Sequence, residues 1–104
     1  MTEEQFKDIT EWQVKTFGQS NCLSKIYHLE EEVHELIEEL KENPYSDKTD
    51  MEYADCFILL FGSAASRGMD YNYIIDIINK KMDINKTRTW GIPNKNGVVN
   101  HEKI

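Results

Sequence analysis

Apolar positions recur every three to four residues along most of this chain, the period of helices with one buried face. Thr2-Glu3-Glu4-Gln5 has the form of a capping box. It opens a first helix that carries Ile9, Trp12 and Gln13 and ends near Phe17-Gly18. After the turn-forming Gln19-Ser20-Asn21, a second helix is predicted from about Leu23 to Glu42. Its apolar residues, Ile26, Leu29, Val33, Leu36, Ile37 and Leu40, form a near-heptad seam. Asn43-Pro44-Tyr45-Ser46-Asp47 ends it. A third helix should begin at Thr49 or Asp50 and run to Arg67, with Gly68 as its stop. Its centre is apolar on every side, which predicts a buried helix, and Gly62, Ser63, Ala64 and Ala65 permit close approach of a neighbour. Asp70 is placed to cap a fourth helix bearing Ile74, Ile75, Ile77, Ile78 and Met82. The pattern changes at Trp90-Gly91-Ile92-Pro93, which cannot continue a helix. Asn96-Gly97 followed by Val98-Val99 is a hairpin signal, so the tail is read as a small hairpin or a loose end. The expected organisation is an all-α, four-helix domain over residues 1–93 and a short extended tail over 94–104.

Composition adds one constraint. With 104 residues, 39% of them hydrophobic and 30% charged, a lone monomer would have a thin core. Shared burial in a homo-oligomer is therefore expected. The formal net charge of −7 and the lack of a basic stretch argue against a nucleic-acid backbone as partner. A nucleotide whose phosphates are bridged by metal is not excluded. Cys22 and Cys56 have no CxxC spacing and read as buried thiols in a reducing compartment. The acidic start, Met1-Thr2-Glu3-Glu4, lacks the apolar stretch of a signal peptide, and no apolar run is long enough to span a bilayer. These features predict a cytoplasmic protein.

The acidic residues carry the chemistry. Seven of the thirteen residues from Glu30 to Glu42 are glutamate. Such a run is ordinarily a solvated face, but a helical wheel at about 100° per residue divides it. Glu31, Glu38 and Glu42 point away from the seam, whereas His28, Glu32, Glu35 and Glu39 border it. On the third helix, Glu52 and Asp55 share a face with Cys56, Leu59 and Gly62. Carboxylates on a buried helix are costly unless paired or metal-bound. Two antiparallel helices would bring Glu32, Glu35, Glu52 and Asp55 together, and hard divalent cations such as Mg²⁺ take oxygen ligands. Lys81, Asn85 and Arg88, at i, i+4 and i+7, form one face suited to holding phosphate oxygens.

Taken in order, Glu31-Glu32-Val33-His34-Glu35, Glu52-Tyr53-Ala54-Asp55 and Lys81 through Trp90 form the pattern EExxE, ExxD, KxxxNxxRxW. With Trp12-Gln13 and Phe17-Gly18, this pattern resembles the all-α nucleoside triphosphate pyrophosphohydrolase superfamily of MazG-like proteins, dimeric dUTPases and dCTP pyrophosphatases. The resemblance implies a helical bundle completed by oligomerisation, as a dimer or tetramer. It implies Mg²⁺-dependent cleavage of a nucleoside triphosphate to monophosphate and pyrophosphate, with Mn²⁺ as an alternative ion. Glu32, Glu35, Glu52 and Asp55 would be metal ligands, with Glu32 or Glu35 accepting the proton of the attacking water. Lys81, Asn85 and Arg88 would hold phosphates, and Trp12, Gln13 and Trp90 are candidates for base contacts. His28 borders the stripe and is placed to orient a carboxylate. Two other readings remain: phosphoribosyl-ATP pyrophosphohydrolase, and a non-catalytic helical module that binds a regulatory partner.

Overall fold

The computed structural model describes residues 1–18 and 20–102. Among them are four α-helices and no strand: α1 (Glu3–Phe17), α2 (Cys22–Glu42), α3 (Asp47–Ser66) and α4 (Tyr71–Thr87). The chain divides into two units, Met1–Asn72 and Tyr73–Ile104, so that α4 begins in the first and runs on through the second.

In the first unit α3 is central. It packs most extensively against α2 and more lightly against α1. Local chemistry sets each helix end. Thr2 Oγ1 accepts from the Gln5 amide (3.1 Å), as the capping box predicts, and Asn21 Oδ1 accepts from the Ser24 amide (2.9 Å). The α3 helix starts at Asp47, earlier than Thr49, because Ser46 Oγ caps the Thr49 amide at 3.1 Å. Thr49 is fully buried and its hydroxyl donates back to the Asn43 carbonyl at 2.7 Å. At the far end, the Gly68 and Met69 amides return to the Ala65 and Ala64 carbonyls. This is a Schellman closure, made possible by Gly68 at φ 109°. Ser63 Oγ then donates to the Cys22 carbonyl at 2.7 Å. The α2–α3 hairpin is thus fastened at both ends, which fixes its register.

The α1–α3 contact is close. Gln13 is fully buried and its amide donates to the Ile58 carbonyl at 2.8 Å. A Cβ at Gly62 would overlap that amide. Phe6 meets Phe61 edge-on at 6.0 Å and Tyr71 at 5.9 Å, and the Tyr71 hydroxyl donates to the Met1 carbonyl. Among the described residues of this unit the buried hydrophobic ones are Phe6, Leu36 and Leu59, a core as thin as the composition implies.

The predicted burial of α3 holds for one face only. Leu59, Gly62 and Ser63 face inward, but Met51, Tyr53, Phe57 and Leu60 stay exposed. The α2 seam divides in the same way. Leu36 is buried and Leu29 and Leu40 partly so, whereas Ile26, Val33 and Ile37 are exposed. Two helices cannot cover an apolar circumference on all sides, so each keeps an open stripe.

The second unit holds most of α4 and an ordered tail. Trp90 and His101 form an antiparallel bridge, with Gly91 N donating to Asn100 O (2.8 Å) and Glu102 N to Thr89 O (2.7 Å). The predicted turn lies between. Asn94 Oδ1 accepts from the Asn96 and Val98 amides, and the Gly97 amide donates to Asn94 O. The indole N–H of Trp90 donates to the Asn85 carbonyl at 3.1 Å, which fastens the tail to the end of α4.

Candidate active site

The register of the α2–α3 hairpin places the two acidic motifs opposite each other. Glu32, Glu52 and Asp55 each offer a carboxylate oxygen, all within 4.8 Å of one another. Glu35 stands beside this trio and hydrogen bonds with Glu32. Glu39, one turn further along the predicted stripe, is partly buried and pairs with Lys48 at 2.9 Å. Glu31, Glu38 and Glu42 lie exposed, but so does Glu35, and Glu38 lines a cavity with Glu35, Glu39 and Glu52 although the wheel points it away.

The electrostatics call for a cation. Glu32 is mostly shielded from solvent, and its pKa rises from 4.5 to about 7. Burial is the main cause, followed by the hydrogen bond with Glu35 and the charges of Glu35, Asp55 and Glu52. Glu52 Oε2 is buried without a hydrogen-bond partner, a costly state for a carboxylate oxygen. An all-oxygen donor set of this kind fits Mg²⁺ or Mn²⁺. Burial, then the charges of Glu32, Asp55 and Glu52, push the Cys56 thiol up, so it sits beside the cluster as a neutral group.

A cavity of about 250 Å³ opens beside Glu32 and Asp55, walled by Trp12, Phe17, His28, Ile58 and Leu59. Trp12 and Phe17 meet edge-on at 5.5 Å, and the His28 ring lies 5.9 Å from Phe17. Nε2 of His28 is 3.5 Å from Glu32 Oε1, so His28 is positioned to orient that carboxylate. Trp12 is half exposed and belongs to the cavity rather than the core. Its neighbour Gln13 is held between α1 and α3, with Oε1 buried and unpartnered.

Within the second unit, Asn85 is partly buried with an unpartnered Oδ1, and Arg88 Nη1 lies 3.5 Å from His101 Nδ1. Lys81 is exposed. The Trp90 ring packs edge-on against His101 at 5.9 Å.

Sequence reasoning missed two lysines. Lys25 is 2% exposed, and its ammonium donates to the Ser20 carbonyl at 2.7 Å. The signal available was its place three residues before His28 and seven before Glu32 on the boundary stripe. Lys48 is the other, considered below.

The sequence matches the dATP/dGTP pyrophosphohydrolase family over residues 5–103. The chain belongs to this family. It is similar to a solved structure of the cyanophage S-2L MazG-like pyrophosphohydrolase bound to dGDP and three catalytic Mn²⁺ ions per active site. The two share 28% identity over 99% of each chain, with a TM-score of 0.75. No curated protein matches at comparable significance. The fold is therefore the MazG-like all-α fold, and the activity is that of a nucleoside triphosphate pyrophosphohydrolase. The carboxylate cluster is suited to the divalent metal such an enzyme uses. Among the described residues, no helix is long and apolar enough to cross a membrane.

Proposed function

We propose that the enzyme cleaves a purine deoxynucleoside triphosphate, dATP or dGTP, to the monophosphate and pyrophosphate in the cytoplasmic nucleotide pool. The observation that carries this reading is the shared wall. Glu32 and Asp55 belong both to the carboxylate cluster and to the aromatic cavity. A base held against Trp12 and Phe17 would present its phosphates to the carboxylates. Base–aromatic stacking contributes about 1–3 kcal/mol per base.

Glu32, Glu35, Glu52 and Asp55 hold the divalent ions. When bound, these ions neutralise the triphosphate and acidify the attacking water. Glu35 or Glu32 accepts that water's proton. Water oxygen bonds to phosphorus as the bond between the α and β phosphates breaks, and pyrophosphate leaves. His28 keeps Glu32 oriented. Lys81, Asn85 and Arg88 hold phosphate oxygens, a role supported by their match to the KxxxNxxRxW element. The same match supports Trp90 at the base. Gln13 sits next to Trp12 in sequence but is fully buried outside the lining of the aromatic cavity, so its support for base binding is indirect: its bond to the Ile58 carbonyl holds α1, and with it Trp12, against α3.

The active form is a homodimer or homotetramer. The outward stripes of α2 and α3 support this. Leu23 and Ile26 share an apolar cavity of about 340 Å³ with Leu60 and Ala64, so the two stripes adjoin at that end of the hairpin.

The test is pyrophosphate release from dATP, dGTP, dCTP, dTTP and phosphoribosyl-ATP, with Mg²⁺, with Mn²⁺ and with chelator. Turnover should favour dATP and dGTP and stop in chelator. Glu35→Gln and Asp55→Asn should each lower kcat at least about a hundredfold, as loss of a group acting on the transition state does, with helical content unchanged. Orthophosphate as the sole product, or full activity in both variants, would overturn the assignment.

A further inference from the structure

The cluster has a second flank. Glu35 and Glu52 open onto a cavity of about 480 Å³, lined also by His34, Glu38, Glu39 and Lys48, which among the described residues shares no lining residue with the aromatic cavity. A nucleotide with its base near Trp12 and its phosphates at the carboxylates would direct its terminal phosphates here. Four glutamates make this wall hostile to an anion. Lys48 is the one lysine or arginine among the described residues that line it, and its Nζ reaches from the first turn of α3 to Glu39 on α2.

The position of Lys48 is informative. A cation in the first turn opposes the helix dipole, and the rest of that turn obeys the dipole with Asp47 and Asp50. An exposed ion pair adds little stability by itself. The Lys48 side chain is 70% exposed and free to pivot, whereas Glu39 is only 19% exposed and held in the cavity wall. Glu39 therefore parks the ammonium at the rim, one turn from Glu52.

We propose that Lys48 is a positioning residue for the leaving group, donating hydrogen bonds to the pyrophosphate end of the substrate and of the product. It forms no covalent bond and transfers no proton. The compact, hydrated ammonium of lysine suits a mobile diphosphate. The inference rests on the pyrophosphohydrolase reading, and its test is independent of turnover.

The experiment is calorimetric titration of pyrophosphate, and separately of dGMP, into Mn²⁺-loaded wild type, Lys48→Gln, Lys48→Arg and Lys48→Gln/Glu39→Gln. Pyrophosphate should bind Lys48→Gln about tenfold more weakly than wild type, equivalent to ~1.4 kcal/mol. Lys48→Arg should recover most of this, and dGMP affinity should stay within about twofold throughout, a difference of ~0.4 kcal/mol. If Lys48 only neutralises Glu39, the double variant will regain wild-type pyrophosphate affinity, and that result overturns the proposal. So does equal weakening of dGMP and pyrophosphate, unchanged pyrophosphate binding in Lys48→Gln, or no pyrophosphate binding by the Mn²⁺-loaded wild type. Failure of the activity reading would appear separately, as wild type that releases no pyrophosphate from any triphosphate.

Discussion

Glu32 carries the strongest electrostatic constraint in the first unit. Its proton stays bound in the folded protein up to about pH 7 but leaves the unfolded chain near 4.5. Between those values the folded, metal-free protein binds more protons than the unfolded one. Its stability must therefore fall as pH rises through the window, and the loss is complete above pH 7. The thermal midpoint of chelator-treated protein should be higher at pH 5 than at pH 8, and Glu32→Gln should flatten this dependence by removing the titrating group. Mg²⁺ or Mn²⁺ should restore the midpoint at pH 8, because a ligand that binds only the native state stabilises it. An identical pH profile in wild type and Glu32→Gln would rule the account out. At this scale the sequence was legible where one helix sufficed. The wheel separates the half-buried Glu32 and Glu39 from the exposed Glu31 and Glu42 because the angle between side chains is a property of the helix itself; Glu38, which shares a cavity with Glu35 and Glu39, escapes it. The wheel is silent on Gln13, Lys25 and Lys48, whose roles depend on a partner from another segment: the Ile58 carbonyl, the Ser20 carbonyl and Glu39.

The element that makes the site is the α2–α3 hairpin, and its precision comes from its fastenings. Thr49 to Asn43 at one end and Ser63 to Cys22 at the other fix the sliding position of two helices whose carboxylates repel. α1 closes over α3 at Gln13 and Gly62. Gly62→Ala would force the buried Gln13 amide out of its hydrogen bond with Ile58. Overpacking costs typically 1–3 kcal/mol, which outweighs the roughly 1 kcal/mol gained by replacing a helical glycine with alanine. Urea denaturation should show a net loss of up to about 2 kcal/mol, and a more stable Gly62→Ala protein would contradict the packing. Helix existence and order were readable from periodicity, and the capping box marked the start of α1. The start of α3 was not readable. Asp47 through Thr49 looks like turn material until Ser46 is seen to cap the Thr49 amide and Thr49 to bury its hydroxyl on Asn43.

At the scale of the whole molecule, the thin core and the open face are two sides of one fact. Apolar residues on α2 and α3 exceed what their neighbours in the first unit cover. Part of the excess is gathered in one place: Leu23 and Ile26 on α2 line a cavity with Leu60 and Ala64 on α3, while Val33, Ile37 and Phe57 are also exposed. A near-heptad spacing on an exposed face is what a helix–helix interface requires. Monomeric soluble proteins seldom expose a continuous apolar patch of that extent. Sedimentation at micromolar concentration should therefore find a dimer or tetramer. Ile26→Glu with Leu60→Glu, two exposed positions outside the carboxylate cluster, should drive the protein toward monomer, because burying unpaired carboxylates is strongly unfavourable. Both side chains are solvent-exposed in a single chain, so the isolated protomer should keep its helical content. Its midpoint should nevertheless fall and become independent of protein concentration, whereas the wild-type midpoint should rise with concentration. A wild type that sediments as a monomer with full activity would show that the face serves another purpose and that the first unit is stable on Phe6, Leu36 and Leu59 and its hydrogen-bonded helix ends.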